Sequence, residues 1–262
     1  MSSWHYLTPF AYFLSTRLIS PEKILSWLVI YPFALLLAYT TFTDELSIES
    51  FTAVAIAMLI IYTIYELGYM ANDVFTVLHE VNPTTRLSER ESKFIQAHWY
   101  RLLSGRVGLA ILLLGVLAYL RQDGFKVFCL MLAIMSITFY LYNITRGGIN
   151  IPLHFILVIC RFSGPCMLVM PEGIFFAFTL LAFPIINLIE RAAEPRYNQA
   201  WLQNMIFSNQ KSGRWLYYLL ASFLWAGVAI VLELELETLG LLIFLFIYRL
   251  VSPLLALRLA RR

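Results

Sequence analysis

Charge is scarce in this chain of 262 residues: 13% of it is Asp, Glu, Lys or Arg, about half the share usual in soluble domains. A surface so poor in charge excludes a soluble domain of this length. Cysteine is scarcer still. Cys129, Cys160 and Cys166 have neither metal-ligand nor redox spacing, which excludes a disulfide framework and leaves each as a small buried hydrophobe. There is no basic patch interleaved with aromatics, so the net charge of +3 does not point to nucleic acid. The alternating ten-residue pattern of a membrane barrel is absent. The opening stretch, MSSWHYLTPFAYFLSTRLIS, lacks the basic start and small-residue cleavage site of a signal peptide.

Apolar length, by contrast, is abundant. Hydrophobic residues make up 60% of the chain, with a mean hydropathy of +0.75. Runs of about 18 to 22 apolar residues recur, each able to cross the ~30 Å hydrocarbon core of a bilayer as a helix. Spans are predicted at Ile24 to Phe42, Ile48 to Tyr69, Leu102 to Leu120, Phe125 to Asn143, Ile151 to Val169, Gly173 to Ile189, Trp215 to Leu232 and Thr238 to Leu257. Eight spans, with a ninth possible, define an all-α polytopic transmembrane bundle, one domain over residues 1–262. Residues 1–20, aromatic and interrupted by Pro9, are expected to form an interfacial or half-inserted helix.

Loop charge orients the bundle. With the N-terminus cytoplasmic, fifteen basic residues fall inside (Arg17, Lys23, Arg86, Arg90, Lys93, Arg101, Arg106, Arg146, Arg191, Arg196, Lys211, Arg214, Arg258, Arg261, Arg262) and two outside, Arg121 and Lys126. Both termini are then cytoplasmic. The expected location is a bacterial inner membrane with the working face on the cytoplasmic side.

Two inside loops are long, about residues 70–101 and 190–214, and long loops in a compact bundle tend to carry function. In YELGYMANDVFTVLHEVNPTTRL, Asn72, Thr76 and Glu80 stand at i, i+4 and i+8, with Asp73 beside them, so a continuing helix would put them on one side. In NLIERAAEPRYN, Asn187, Glu190 and Glu194 share a face in the same way. Two oxygen-rich faces leaving one membrane surface call for a cation between them. Hard oxygen donors suit Mg²⁺, which usually brings a phosphate. The predicted metal set is Asn72, Asp73, Glu80, Asn187, Glu190 and Glu194. Arg86, Arg90, Lys93, Arg196, Lys211 and Arg214 supply charge to hold a diphosphate, and Tyr142 with Arg146, one turn apart, adds a hydroxyl and a guanidinium. Within the spans, Glu66 is expected to pair with Arg161 or Arg249, structurally or catalytically, and His154 reads as a hydrogen-bonded core histidine rather than a proton acceptor.

These residues resemble the UbiA superfamily of intramembrane prenyltransferases. The family carries N-D-x-x-D-x-x-x-D after the second span, D-x-x-D-x-x-x-D after the sixth and Y-x-x-x-K before the fifth. Here the corresponding stretches are Asn72-Asp73-x-x-Thr76-x-x-x-Glu80, Asn187-x-x-Glu190-x-x-x-Glu194 and Tyr142-x-x-x-Arg146. Thr76 and Asn187 stand where the family has aspartates, which should weaken a metal site. NPTTR, from Asn82 to Arg86, resembles, offset by one residue, the H-P-x-K-R of the branch that transfers phosphoribose to polyprenyl phosphate.

The resemblance implies Mg²⁺-dependent displacement of diphosphate, moving a polyprenyl group to a small polar or aromatic acceptor, with Asp73, Glu80, Glu190 and Tyr142 as catalytic residues. The branch resemblance implies instead phosphoribosyl transfer from phosphoribosyl diphosphate to a polyprenyl phosphate. A non-catalytic lipid-binding membrane protein is the rival from another class. Both enzyme readings expect a polyprenyl phosphate or diphosphate lipid as ligand.

Overall fold

The computed structural model describes residues 3–43, 47–79, 85–120, 122–145, 147–207 and 210–259, with the side chains of 79, 205–207, 210–212 and 253–259 outside that description. Every regular element among the described residues is helical. Seven segments are long and apolar enough to cross a membrane: Pro21–Thr40, Ile48–Thr76, Glu89–Tyr119, Phe125–Ile144, Asn150–Val169, Gly173–Ala192 and Gly213–Val231. This is an integral membrane protein, and each predicted span from the first to the seventh falls on one of these segments. The eighth prediction falls on a further 20-residue helix, Gly240–Leu259.

Two short helices, α1 (Ser3–Leu7) and α2 (Ala11–Arg17), precede the spans. Between them the chain turns sharply at Phe10, whose φ of 68° is left-handed. The first span begins at Pro21, with Ser20 accepting from the Lys23 amide. It is built from α3 (Pro21–Leu28), a π-helical turn at Val29–Phe33 and α4 (Ala34–Thr40); Pro32, which has no amide to donate, sits in the widened turn. The second span, α5 (Ile48–Ala71), starts on a Ser47 cap. The third, α6 (Glu89–Tyr119), starts on a Ser88–Glu91 capping box and extends a dozen residues before the predicted boundary. Then come α7 (Phe125–Ile144), α8 (Asn150–Val169), α9 (Gly173–Ala182) and α10 (Pro184–Ala192), the last two joined at Pro184 into one span. After α11 (Ala200–Phe207), the pair α12 (Gln210–Val231) and α13 (Gly240–Leu259) packs back against α9 and α4.

About half of α5 and α8 is buried, more than of any other span, so these two form the inner wall. Small residues let their neighbours approach. A Cβ at Gly68 of α5 would lie within 2.6 Å of the Phe139 ring of α7, and one at Gly124 would strike the Met167 carbonyl at the end of α8. These are positions where only glycine fits.

The N-terminal segment is fastened by charge at full burial. Glu66 of α5 and Arg106 of α6 form an ion pair of 2.7 Å, both side chains wholly buried. Arg106 also donates to the carbonyls of Tyr6, Thr8 and Thr63, and Glu66 accepts the Phe13 amide at 2.6 Å. An arginine counted from the sequence as a cytoplasmic loop charge is thus a core residue, and it takes the place expected of Arg161 or Arg249 beside Glu66. The prediction failed because pairing across helices depends on rotation about each helix axis, which a boundary estimate does not supply.

Candidate functional site

At the membrane face where α5, α7 and α10 end and α8 and α12 begin, the helices enclose two adjoining cavities. The first, of about 270 Å³, is lined by Arg17, Arg86, Arg191, Arg196, Tyr142, Asn72 and Asn143. The second, of about 380 Å³, runs between the first span and the α12–α13 pair and is lined by Lys23, Arg161, Arg214, Arg249, Glu190 and Asn187, with Trp27, Tyr31, Phe162 and Phe183 as an apolar wall. Tyr65, Tyr69 and His154 line both, so the cavities are two lobes of one site.

The first motif approaches this site through a local change of helix. At Asn72 the second span widens into a π-helical stretch, Asn72–Thr76, followed by a 3₁₀ turn over Val77–His79. The uniform helical spacing that would align Asn72 with Thr76 is lost there. Asn72 faces the first lobe, Asp73 turns inward and Thr76 donates to the Asn143 carbonyl at 3.2 Å. Asp73 is saturated: Arg17 meets both its oxygens at 2.8 and 2.9 Å, Tyr12 donates at 2.7 Å and Arg86 at 3.4 Å. Burial, and then the nearby Asp73 charge, push the Tyr12 phenol above its usual range, so it stays a proton donor.

The second motif is also divided. Because α10 ends at Ala192, Glu194 lies on extended backbone beyond the helix and no longer shares a face with Asn187 and Glu190. Asn187 donates to the Phe183 carbonyl, four residues back. Glu190 is held by Arg214 at 2.5 and 3.2 Å, and Glu194 by Arg191 and Arg196, both at 2.7 Å. Tyr142 accepts from Arg191. Helix α7 ends at Ile144, and Thr145 after it is extended.

Of the predicted phosphate-binding residues, the structure brings Arg86 and Arg196 to the first lobe. Lys93 faces solvent and pairs with Glu89 one turn away at 2.6 Å, while Arg90 lines a separate surface cleft beside Tyr6 and Phe94. Both sit on the capped extension of α6, turned away from the site. Glu80, Arg146 and the Lys211 side chain lie outside the described residues.

The carboxylates bear directly on Mg²⁺. Among the described residues no three of His, Cys, Asp and Glu come together, and Asp73, Glu190 and Glu194 each spend their oxygens on guanidinium groups. An ion would have to displace Arg17 from Asp73 and Arg214 from Glu190, and Glu80, the remaining carboxylate of the predicted set, lies outside the described residues.

Arg17, Arg191, Tyr65, Tyr69 and His154 complete the site without having been singled out for it. Arg17 and Arg191 were visible only as loop charges, and His154 as a core residue. The available signal was position: each lies within two turns of the same membrane face. Comparison with family models, with curated proteins and with solved structures finds no match for this chain.

Proposed function

We propose that the protein is an intramembrane transferase of the UbiA type that holds a polyprenyl diphosphate in this site and transfers the prenyl group to a small acceptor, on the cytoplasmic side of an eight-span bundle. One observation supports the reading: Asn72, Tyr142, Asn187 and Glu190, drawn from three motif stretches far apart in the chain, line two adjoining lobes that carry guanidinium groups and an aromatic wall. Such a cavity suits an amphiphile with a multiply charged head. Arginines bind phosphate oxygens bidentately, and in a water-poor site their charge is poorly screened.

In this reading Arg86, Arg191 and Arg196 hold the diphosphate and stabilise the charge it gains as its bond to carbon breaks. Arg17 shares that role from the N-terminal segment. Asp73 and Glu194 position these arginines, Glu190 positions Arg214, and Tyr142 is steered by Arg191. No step is assigned to a metal. The rings of Tyr65, Tyr69 and Phe139 flank the first carbons of the chain.

The pairing of all three described motif carboxylates with arginine favours a second reading, in which the same cavity binds a polyprenyl phosphate lipid without catalysis. Purified protein in liposomes, given chain-labelled geranylgeranyl diphosphate or ribose-labelled phosphoribosyl diphosphate with membrane lipid extract, separates the cases. Release of diphosphate with the prenyl label entering a new product supports prenyl transfer. Ribose label entering the lipid supports the phosphoribosyl branch. Tight binding with no release of diphosphate leaves the binding protein.

A further inference from the structure

On the same membrane face as the cavity, but apart from it, α1 and α6 enclose a groove of about 250 Å³ lined by Trp4, Leu7, Phe94, His98, Arg101 and Leu102. The stretch of α6 from Arg101 to Tyr119 covers roughly 27 Å, close to the ~30 Å hydrocarbon thickness, so the groove stands at the level of the lipid headgroups. Trp4 and Tyr100, 76% and 84% exposed, mark that level as interfacial rings do. None of the lining residues is acidic. Glu91, in the adjoining cleft, is spent on the amide and hydroxyl of Ser88. Among the described residues the Arg101 side chain has no carboxylate within 4.0 Å and no hydrogen-bond partner. His98 makes a kink in α6, with φ −112° and ψ 15°, and its Nδ1–H donates at 2.9 Å to the Phe94 carbonyl one turn back. A carbonyl can only accept, so the neutral ring is left with Nε2 as an acceptor. The imidazole stacks on Phe94 at 4.4 Å between ring centres, and Phe94 on Tyr6 at 5.4 Å, which ties it to α1. Towards the hydrocarbon, at i+7 and i+14 from Arg101 on the same face of α6, come Gly108 and Gly115, both exposed and both with open space where a Cβ would stand. A smooth strip therefore runs from the groove into the bilayer.

We infer that this groove binds one anionic glycerophospholipid, with its phosphate on Arg101, a headgroup hydroxyl on His98 Nε2 and an acyl chain along the strip past Gly108 and Gly115. A guanidinium without a counter-ion answers a phosphate. An ammonium headgroup would meet Arg101 with no carboxylate in the groove to receive it, so an anionic headgroup is preferred to a zwitterionic one. The bound lipid bridges α1 and α6 and so braces the N-terminal segment, whose Arg17 walls the first lobe. None of this depends on the transferase reading.

The test is equilibrium binding of radiolabelled phosphatidylglycerol to the full-length protein in dodecyl maltoside micelles, with phosphatidylethanolamine as competitor. One phosphatidylglycerol should bind saturably per chain, about tenfold or more tighter than phosphatidylethanolamine. Arg101→Gln, an exposed change that breaks no contact between described side chains, should weaken it by about tenfold, as loss of a charge-assisted contact does. Gly108→Phe, placed in open space, should weaken it several-fold by obstructing the strip. Lys93→Gln, on the same helix but paired with Glu89, should leave it unchanged. Proteolysis within α1 and α2 should be slower with phosphatidylglycerol than with phosphatidylethanolamine, and Arg101→Gln should lose that difference. The site is overturned if the two lipids bind alike, if Arg101→Gln or Gly108→Phe binds like wild type, or if Lys93→Gln loses as much as Arg101→Gln. Geranylgeranyl diphosphate should bind Arg101→Gln as it binds wild type; loss of both ligands in that one folded variant would also overturn a separate site. Phosphatidylglycerol bound as expected with no prenyl transfer would count against the transferase reading alone.

Discussion

Arg17 grips both carboxylate oxygens of Asp73, at 2.8 and 2.9 Å, and so ties the end of α2 to the end of the second span across 56 residues of chain. The aspartate that most resembles a metal ligand in the sequence is, in the folded protein, a fixed counter-ion that holds two arginines and a tyrosine in place. The N-terminal segment thereby becomes one wall of the cavity.

That role makes an unusual prediction for Asp73→Asn. The variant keeps the shape of the side chain but loses the charge, so stability should fall by about 1.5–3 kcal/mol, the usual worth of a hydrogen bond to a charged group. Lipid diphosphate binding should survive, because Arg17 and Arg86 are released rather than removed. Melting temperature and binding of geranylgeranyl diphosphate check the two halves. Binding abolished in a folded variant would restore Asp73 as a direct ligand.

Arg106 is predicted to matter for the fold rather than the lipid. Arg106→Met leaves Glu66 buried without its partner and the Tyr6 and Thr8 carbonyls without their donor. Breaking a buried pair in this way costs about 3–5 kcal/mol. Limited proteolysis should cut the variant within α1 and α2 at concentrations that leave the wild type whole. Equal resistance would mean that the segment is held by something other than this pair.

The predicted phosphate-binding residues should divide by location. Arg196→Gln removes a guanidinium from the first lobe and is expected to weaken geranylgeranyl diphosphate by about tenfold to a hundredfold. Lys93→Gln, whose partner is the exposed Glu89, should change nothing. Equal losses in both would mean that binding follows general positive charge and not this cavity.

How much of this was legible in the sequence follows from the physics of each feature. The spans were readable because length and apolarity alone decide what can cross a bilayer, and Pro21, Ser47 and Ser88 mark helix starts by local chemistry. That both long loops border one site was readable from parity, since alternate helix ends share a membrane face. The internal geometry was not. The π-helical turn at Asn72–Thr76 and the helix end at Ala192 each break a spacing rule that assumes an unbroken α-helix. The partners of Asp73, Glu66 and Glu190 were chosen by long-range packing, where any of several arginines at the same depth would have served.

The central claim, that the two-lobed cavity holds a polyprenyl diphosphate, is tested most directly by photo-crosslinking with a geranylgeranyl diphosphate that carries a diazirine near its first isoprene unit. Peptide mapping should place the adducts on the cavity faces of α5, α7 and α8, around Tyr69, Phe139 and Leu157, and excess unlabelled lipid diphosphate should remove them. Adducts confined to the outward faces of α6 and α7, around Ile111, Leu112 and Ile137, and unaffected by competitor, would contradict it.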